Sequence, residues 1–210
     1  MIIIDDTDQR SEEWDNIRSG IPTASDFSRI VQKNGDPSDS RQNYLYELAA
    51  ERITGRKEDG YTSWDMKKGI ENEAEARLCY EHTSGDIVRQ VGFVFMNEDR
   101  QVGCSPDGLI FDPDDLVNPV CGLEIRCEKG SIHVKQLLTE SVPSDKFQQI
   151  HGSMWVCGLH SWEFIAYCRG MDPFFLTVQR DYKFTSALEF EIEGFLEELD
   201  EVYKKLKEKG

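Results

Sequence analysis

Between Ile87 and Cys127 the hydrophobic period of the chain switches from helical to strand-like, and no other feature limits the fold as much. Four runs rich in Val, Ile and Phe occur there: Ile87 to Met96, Gln101 to Cys104, Leu109 to Phe111 and Gly122 to Cys127. Turn residues separate them, and "DPDDLVNP" reads as the loop joining the last two. Helical patterns lie on either side. A helix is expected over Asp145 to Gly158, strands over Trp162 to Cys168 and Phe174 to Gln179, and a last helix over Thr185 to Lys207. The order of helices, meander, helix, two strands and helix predicts an α/β fold with a central mixed sheet flanked by helices. It excludes a repeat protein and an all-helical bundle.

The N-terminal half supplies the first helices. Ser11 followed by acids opens one, which breaks at Gly20-Ile21-Pro22 and restarts with Thr23 or Ser25 as a cap. "NGDPSDS" is a loop by composition, and Tyr44 to Ile53 has helical periodicity ending at Gly55. In "WDMKKGIENEAEARLCYEHTSG", Met66, Ile70, Ala74 and Leu78 repeat on one face while Glu71, Glu73 and Glu75 are polar, and Gly85 closes the helix.

At 210 residues, 39% hydrophobic with four tryptophans, the chain suffices for one α/β domain spanning 1–210. The apolar start, Met1 to Ile4, ends at Asp5 and Asp6, so neither a leader nor a membrane span is expected, and a soluble cytoplasmic protein is. Six scattered cysteines without a CxxC pair read as reduced thiols rather than a disulfide framework or a zinc site. A formal charge of −16 argues against a general nucleic-acid coat. It leaves open an enzyme that holds divalent metal in carboxylates and engages a few phosphates locally. Much of the acidity lies in the C-terminal helix, whose acids come early and lysines late, as the helix dipole favours.

One segment carries chemistry. Asp107 sits in a Pro-Asp-Gly turn beside a strand, and Glu124 lies in the next strand, so the two carboxylates can be neighbours across a hairpin. Converging hard oxygens suit Mg²⁺ or Mn²⁺. Strand alternation points Glu124 and Arg126 to the same side, with Ile125 facing the other way and its backbone carbonyl available as a ligand. An acid-x-base pair inside an apolar strand is costly unless paired or metal-bound. A Glu124–Arg126 salt bridge and a metal centre both satisfy that condition.

Taken with its surroundings, this pattern resembles the PD-(D/E)XK nucleases. More specifically, the chain is similar to the bacteriophage lambda exonuclease family of YqaJ-type viral recombinases. "WDNIRSGIPTASDF", "GIENEAEARLCYEHTSG", "GCSPDGLI", "GLEIRC" and "FQQIHGSMWVCGLHSWEFIAY" carry the resemblance in that order, from Trp14 to Tyr167. It implies a restriction-endonuclease-like core. It also implies a Mg²⁺-dependent exonuclease, with Mn²⁺ as substitute, that degrades one strand of a DNA duplex from its 5′ end. A ring-shaped homotrimer, a single-strand annealing protein as partner and a phage origin follow on the same grounds.

Carried over by position, the metal ligands fall on Asp107, Glu124, the backbone of Ile125, and Glu73. The family's paired glutamines fall on Gln149 and His151, the second a departure. His151 reads either as a donor to water or phosphate or as a structural histidine. Arg18, Ser25 and Ser105 match positions that bind the terminal phosphate, where a guanidinium fork and hydroxyls suit the ligand. Helix capping is the other reading of Arg18 and Ser25. Arg126 stands where the family has lysine. Arginine keeps the charge but is planar and effectively never deprotonated, which implies either slowed chemistry or a substitution the site tolerates. Lys129 would replace that lysine only if a bulge redirected it. The reading from another class is a DNA-end binding or recombination scaffold that kept the fold and lost cleavage. A site-specific endonuclease on the same fold finds no added target-recognition segment in the sequence.

Overall fold

Alternation along three strands divides the core into two layers. In β6 (Asp115–Cys127), Cys121, Leu123 and Ile125 face one way and Gly122, Glu124 and Arg126 the other. β5 (Gly108–Asp112) and β7 (Ser161–Tyr167) follow suit: Leu109, Phe111, Trp162, Phe164 and Ala166 enter the larger core, while Ile110, Ile165 and Tyr167 enter the smaller one. With β2 (Ile87–Arg89) and β8 (Phe174–Gln179) these strands form a five-stranded sheet in the order β2-β5-β6-β7-β8. Within this sheet, among the described residues, only β6 and β7 pair in parallel. β1 (Ile2–Ile4), β3 (Phe93–Phe95) and β4 (Gly103–Cys104) make a separate antiparallel sheet of three. The computed structural model describes residues 1–9, 11–57 and 64–209, the side chains of 64–71 excepted.

Helices cover both faces of the large sheet, giving the mixed α/β arrangement that the order of elements predicts. α3 (Trp64–Ser84) lays Ala76 and Tyr80 on the smaller core. The larger core is closed by α2 (Arg41–Thr54), α5 (Phe147–Cys157), α6 (Tyr182–Lys207) and a 3-10 turn at Ala24–Arg29. Gly152 lets α5 lie directly on Phe27, since a Cβ there would stand 2.3 Å from the ring. Gly122 does the same for Trp162, its cross-strand partner, at 2.2 Å. Among the described residues, no helix is long and apolar enough to cross a membrane, and all six cysteines are free.

Several expected boundaries move. The run Ile87 to Met96 is two strands in different sheets, because the chain turns at Gly92, whose N–H donates to Ile4 O and whose Cα approaches Thr7 too closely for a side chain. "DPDDLVNP" is mostly strand rather than loop. β6 begins at Asp115 after a tight turn and carries an exposed extension whose register with β5 shifts around Phe111. α4 (Gly130–Thr139) was not expected from the pattern and forms ahead of the helix that was. The apolar face proposed for α3 is also corrected: Ala74 is exposed and Leu78 is 66% exposed, while Ala76 and Tyr80 are buried. Met66, Ile70 and Glu71, named with that helix, lie outside the described side chains. Thr23 stands at the N-cap of the 3-10 helix Ala24–Arg29, one of the two expected positions, and Ser25 lies inside it. The turn at Ala24 lacks a side-chain cap, and both hydroxyls are used elsewhere.

Candidate active site

The β5–β6 hairpin does what its sequence asks. Asp107 ends the turn before β5, its N–H donating to Leu123 O at 3.0 Å and its Oδ2 accepting from the Ile125 N–H at 2.6 Å. The carboxylate is thereby bound to the peptide between Glu124 and Ile125. Glu124 itself is 4% exposed on the α5 side of the sheet. Gln149, from the first turn of α5, donates to its Oε2 at 2.8 Å. Lys146 reaches its Oε1 at 2.6 Å and also donates to Gln149 Oε1 at 2.9 Å.

The third carboxylate arrives from α3. Glu73 pairs with Arg77 one turn on, at 3.2 Å, and the same guanidinium donates to Asp107 O at 3.1 Å, tying the helix to the hairpin. Burial, then the charges of Glu124 and Glu73, push the Asp107 carboxyl well above the ordinary carboxylate range. Burial raises Glu124 as well, opposed chiefly by Lys146. Surplus negative charge of this kind, on hard oxygens in a desolvated corner, is what a small divalent cation neutralises. Asp107, Glu124 and Glu73 therefore fit such an ion by chemistry and charge. Their side chains are turned to protein partners, however. Among the described residues, no three His, Cys, Asp or Glu side chains are gathered closely enough to hold an ion as they stand.

A second constellation adjoins the first. α1 (Glu12–Arg18) opens at Ser11, whose Oγ accepts from the Trp14 N–H at 3.1 Å. It ends at Arg18, which is 9% exposed and stacked 3.9 Å over the Trp14 ring. Arg18 Nη2 donates to Thr23 Oγ1 at 3.3 Å and to Ser25 Oγ at 3.2 Å, while its Nε has no hydrogen-bond partner among the described residues. Trp14 Nε1 donates to Ser105 Oγ at 3.1 Å. Arg18 and Ser25 thus share one neighbourhood with Ser105, distant in sequence, and Trp14 lies at its centre. Beside them a small cavity of about 120 Å³ is lined by Arg18, Thr23, Tyr44 and Lys57 among others. Gln9 braces the join between the two constellations by donating to Pro106 O and Val91 O, each at 2.9 Å.

Two expected residues stand elsewhere. His151 is 4% exposed, packed against Phe147 and Phe184, and accepts from the Asp181 N–H at 3.2 Å. Two positions along a helix turn a side chain by about 200°, so Gln149 facing Glu124 sends His151 into the core. His151 thus stands among core side chains, on a different side of α5 from Gln149. Arg126 lies on the same strand face as Glu124 but does not bridge to it. Its guanidinium takes both oxygens of Asp145 at 3.1 Å and Glu128 Oε1 at 3.2 Å. The cation at Glu124 is Lys146, a residue that the motif pattern does not single out. Its only signal in the sequence is a position just ahead of the helix that carries Gln149.

The YqaJ-like viral recombinase domain matches residues 13–160 of the chain. No curated protein matches it. Among solved structures, the alkaline exonuclease LHK-Exo from Laribacter hongkongensis superposes with a TM-score of 0.81 at 30% identity, covering 95% of this chain and 97% of that one. Its complex with dAMP superposes equally well. A phage-related exonuclease from Haemophilus somnus 129PT shares the fold, with a TM-score of 0.61 at 13% identity over 89% of this chain and 96% of that one.

Proposed function

We infer, from the premise that the chain belongs to the YqaJ-like viral recombinase family, what kind of nuclease it is: a divalent-metal exonuclease acting on the ends of double-stranded DNA. Membership itself supports a nuclease function. The finer reading rests on one juxtaposition. Ser105, tied to the Arg18 constellation, and Asp107, tied to Glu124, are separated by Pro106 alone, at most ~7 Å of chain. A terminal phosphate and the next phosphate of the same strand are neighbours too. A site with a phosphate fork on one side and carboxylates on the other is suited to cut one nucleotide from an end.

Asp107 and Glu124, with Glu73 and the Ile125 peptide, would hold Mg²⁺, or Mn²⁺ in its place. Such an ion lowers the pKa of water and neutralises charge developing on the phosphate. The chain's own groups do the rest. Arg18, Ser25 and Ser105 grip the terminal phosphate; Trp14 fixes the plane of the guanidinium; Gln149 orients Glu124. Hydrolysis joins a water oxygen to phosphorus and breaks the bond to the 3′ oxygen, which takes up a proton. The shortened strand then carries a new 5′ phosphate, the group the Arg18 constellation fits, so degradation runs from the 5′ end and leaves a 3′ single strand. The Laribacter exonuclease binds dAMP, a nucleotide of the kind such a reaction releases. The ring-shaped homotrimer and the single-strand annealing partner implied by the family complete the proposal, and light scattering tests the first of them.

End-labelled linear duplex and closed circular duplex, each incubated with Mg²⁺ and with chelator, test the function. Mononucleotide release from the linear substrate alone, dependent on metal, is expected. Uptake of linear ends without cleavage would support a binding scaffold instead, and nicking of the circle would support an endonuclease.

A further inference from the structure

Arg126 and Lys146 divide between them a task that a single strand residue would otherwise perform. Arg126 leaves β6 on the Glu124 side, yet its Nη1 donates to both oxygens of Asp145 and its Nε lies 3.2 Å from Glu128 Oε1, whose side chain is 2% exposed. These two acids draw the guanidinium away from Glu124. Asp145 belongs to the short 3-10 turn Ser144–Lys146 that leads into α5. Holding Asp145 therefore fixes the backbone of the next residue, Lys146. The Lys146 side chain returns toward the sheet, with Nζ at 2.6 Å from Glu124 Oε1 and 2.9 Å from Gln149 Oε1. Its side chain is 23% exposed, so the ammonium sits between the buried carboxylate and the open side of the site.

We propose that Lys146 supplies the ammonium charge of this site as a positioning residue for Glu124 and Gln149, and that Arg126 acts as the clamp that holds Lys146 there through Asp145. The inference rests on the nuclease reading above and adds the residues that complete its charge. Were Glu124 to hold a divalent ion, repulsion between like charges would free the ammonium from the carboxylate, while Gln149 Oε1 would still keep it at the site. A compact ammonium with three donors can make that move without losing its charge to the site, whereas a forked guanidinium locked on two acids cannot.

The test measures two quantities on full-length wild type, Lys146→Met, Lys146→Arg and Arg126→Lys: single-turnover cleavage of 5′-phosphorylated duplex in Mg²⁺, and Ca²⁺ affinity by calorimetry without DNA. Lys146→Met should lose about 10²–10³-fold in cleavage, the scale of removing one group that stabilises charge in the transition state. It should bind Ca²⁺ more tightly, on the order of tenfold, because the like charge that competes for the Glu124 oxygens has gone. A merely structural lesion would weaken both. Lys146→Arg should recover part of the cleavage, and Arg126→Lys should not exceed wild type. Cleavage by Lys146→Met within about threefold of wild type, or a gain of about tenfold or more from Arg126→Lys, would overturn the assignment. If wild type cleaves nothing, the nuclease reading fails on its own. The Ca²⁺ arm still decides on Lys146, because unchanged affinity in Lys146→Met would remove it from the site.

Discussion

Replacing Arg18 by alanine tests whether its side chain serves end recognition as well as folding. It is 9% exposed, lies 3.9 Å over the Trp14 ring, and gives hydrogen bonds to Thr23 and Ser25. A desolvated cation–π contact contributes about 2 kcal/mol, so Arg18→Ala should lower the melting temperature whatever the substrate. A hydrogen bond from a charged donor to a phosphate adds about 1.5–3 kcal/mol, roughly 10- to 150-fold in an equilibrium or rate ratio. That second loss applies only where a terminal phosphate exists. The assay is kcat/KM on duplexes with a 5′ phosphate or a 5′ hydroxyl, below the variant's melting range. The ratio of the two should fall by that 10- to 150-fold in Arg18→Ala. Burial pulls the Arg18 pKa below its ordinary value, against Asp26 and Tyr44, but arginine stays charged at neutral pH, so Arg18→Lys should keep part of the preference. An equal fall on both substrates would show that Arg18 holds the α1 corner together or contacts the strand generally.

Three further outcomes follow from particular contacts. In chelator, wild-type stability should fall as pH rises from about 4, the ordinary carboxylate value, through the higher value of folded Asp107. A group whose pKa is raised by folding stabilises the fold only while protonated, and Asp107→Asn should flatten that slope and raise the melting temperature at pH 8. An unchanged slope would contradict the assignment of the charge cluster. Gly152→Ala forces a Cβ to 2.3 Å from Phe27, an overpacking that costs about 1–3 kcal/mol and should lower the melting temperature by about 2–12 °C, as calorimetry can check. Glu73→Gln should weaken Mn²⁺ binding; equal affinity would leave Glu73 as the partner of Arg77 and nothing more.

The parts of the site legible in the sequence are those written in local pattern. The Pro-Asp-Gly turn and the strand alternation around Glu124 are short-range facts, and the hairpin follows from them. The break at Gly92 was harder to read, since it depends on the approach of Thr7 from the other end of the chain. The buried face of α3 is not legible from the pattern, because every third and fourth residue of that helix offers two candidate stripes. The sheet selects Ala76 and Tyr80, whose small and flat side chains fit against Leu123 and Ile165. Lys146 was illegible for a different reason. Its distance from Glu124 is set by where α5 begins relative to β6, a tertiary relation, and a lysine in a "PSDKF" turn has no local feature to mark it. His151 shows the converse: a residue matched by position in a motif, but turned into the core by the helical repeat.

The central claim is that Asp107 and Glu124 together form a divalent-metal centre, and a calorimetric Mn²⁺ titration of wild type, Asp107→Ala and Glu124→Ala tests it most directly. Each substitution removes a proposed ligand oxygen without opening a large cavity, so circular dichroism should show all three proteins folded. The account predicts saturable Mn²⁺ binding by wild type and its loss in either variant. Equal Mn²⁺ affinity in all three would contradict it.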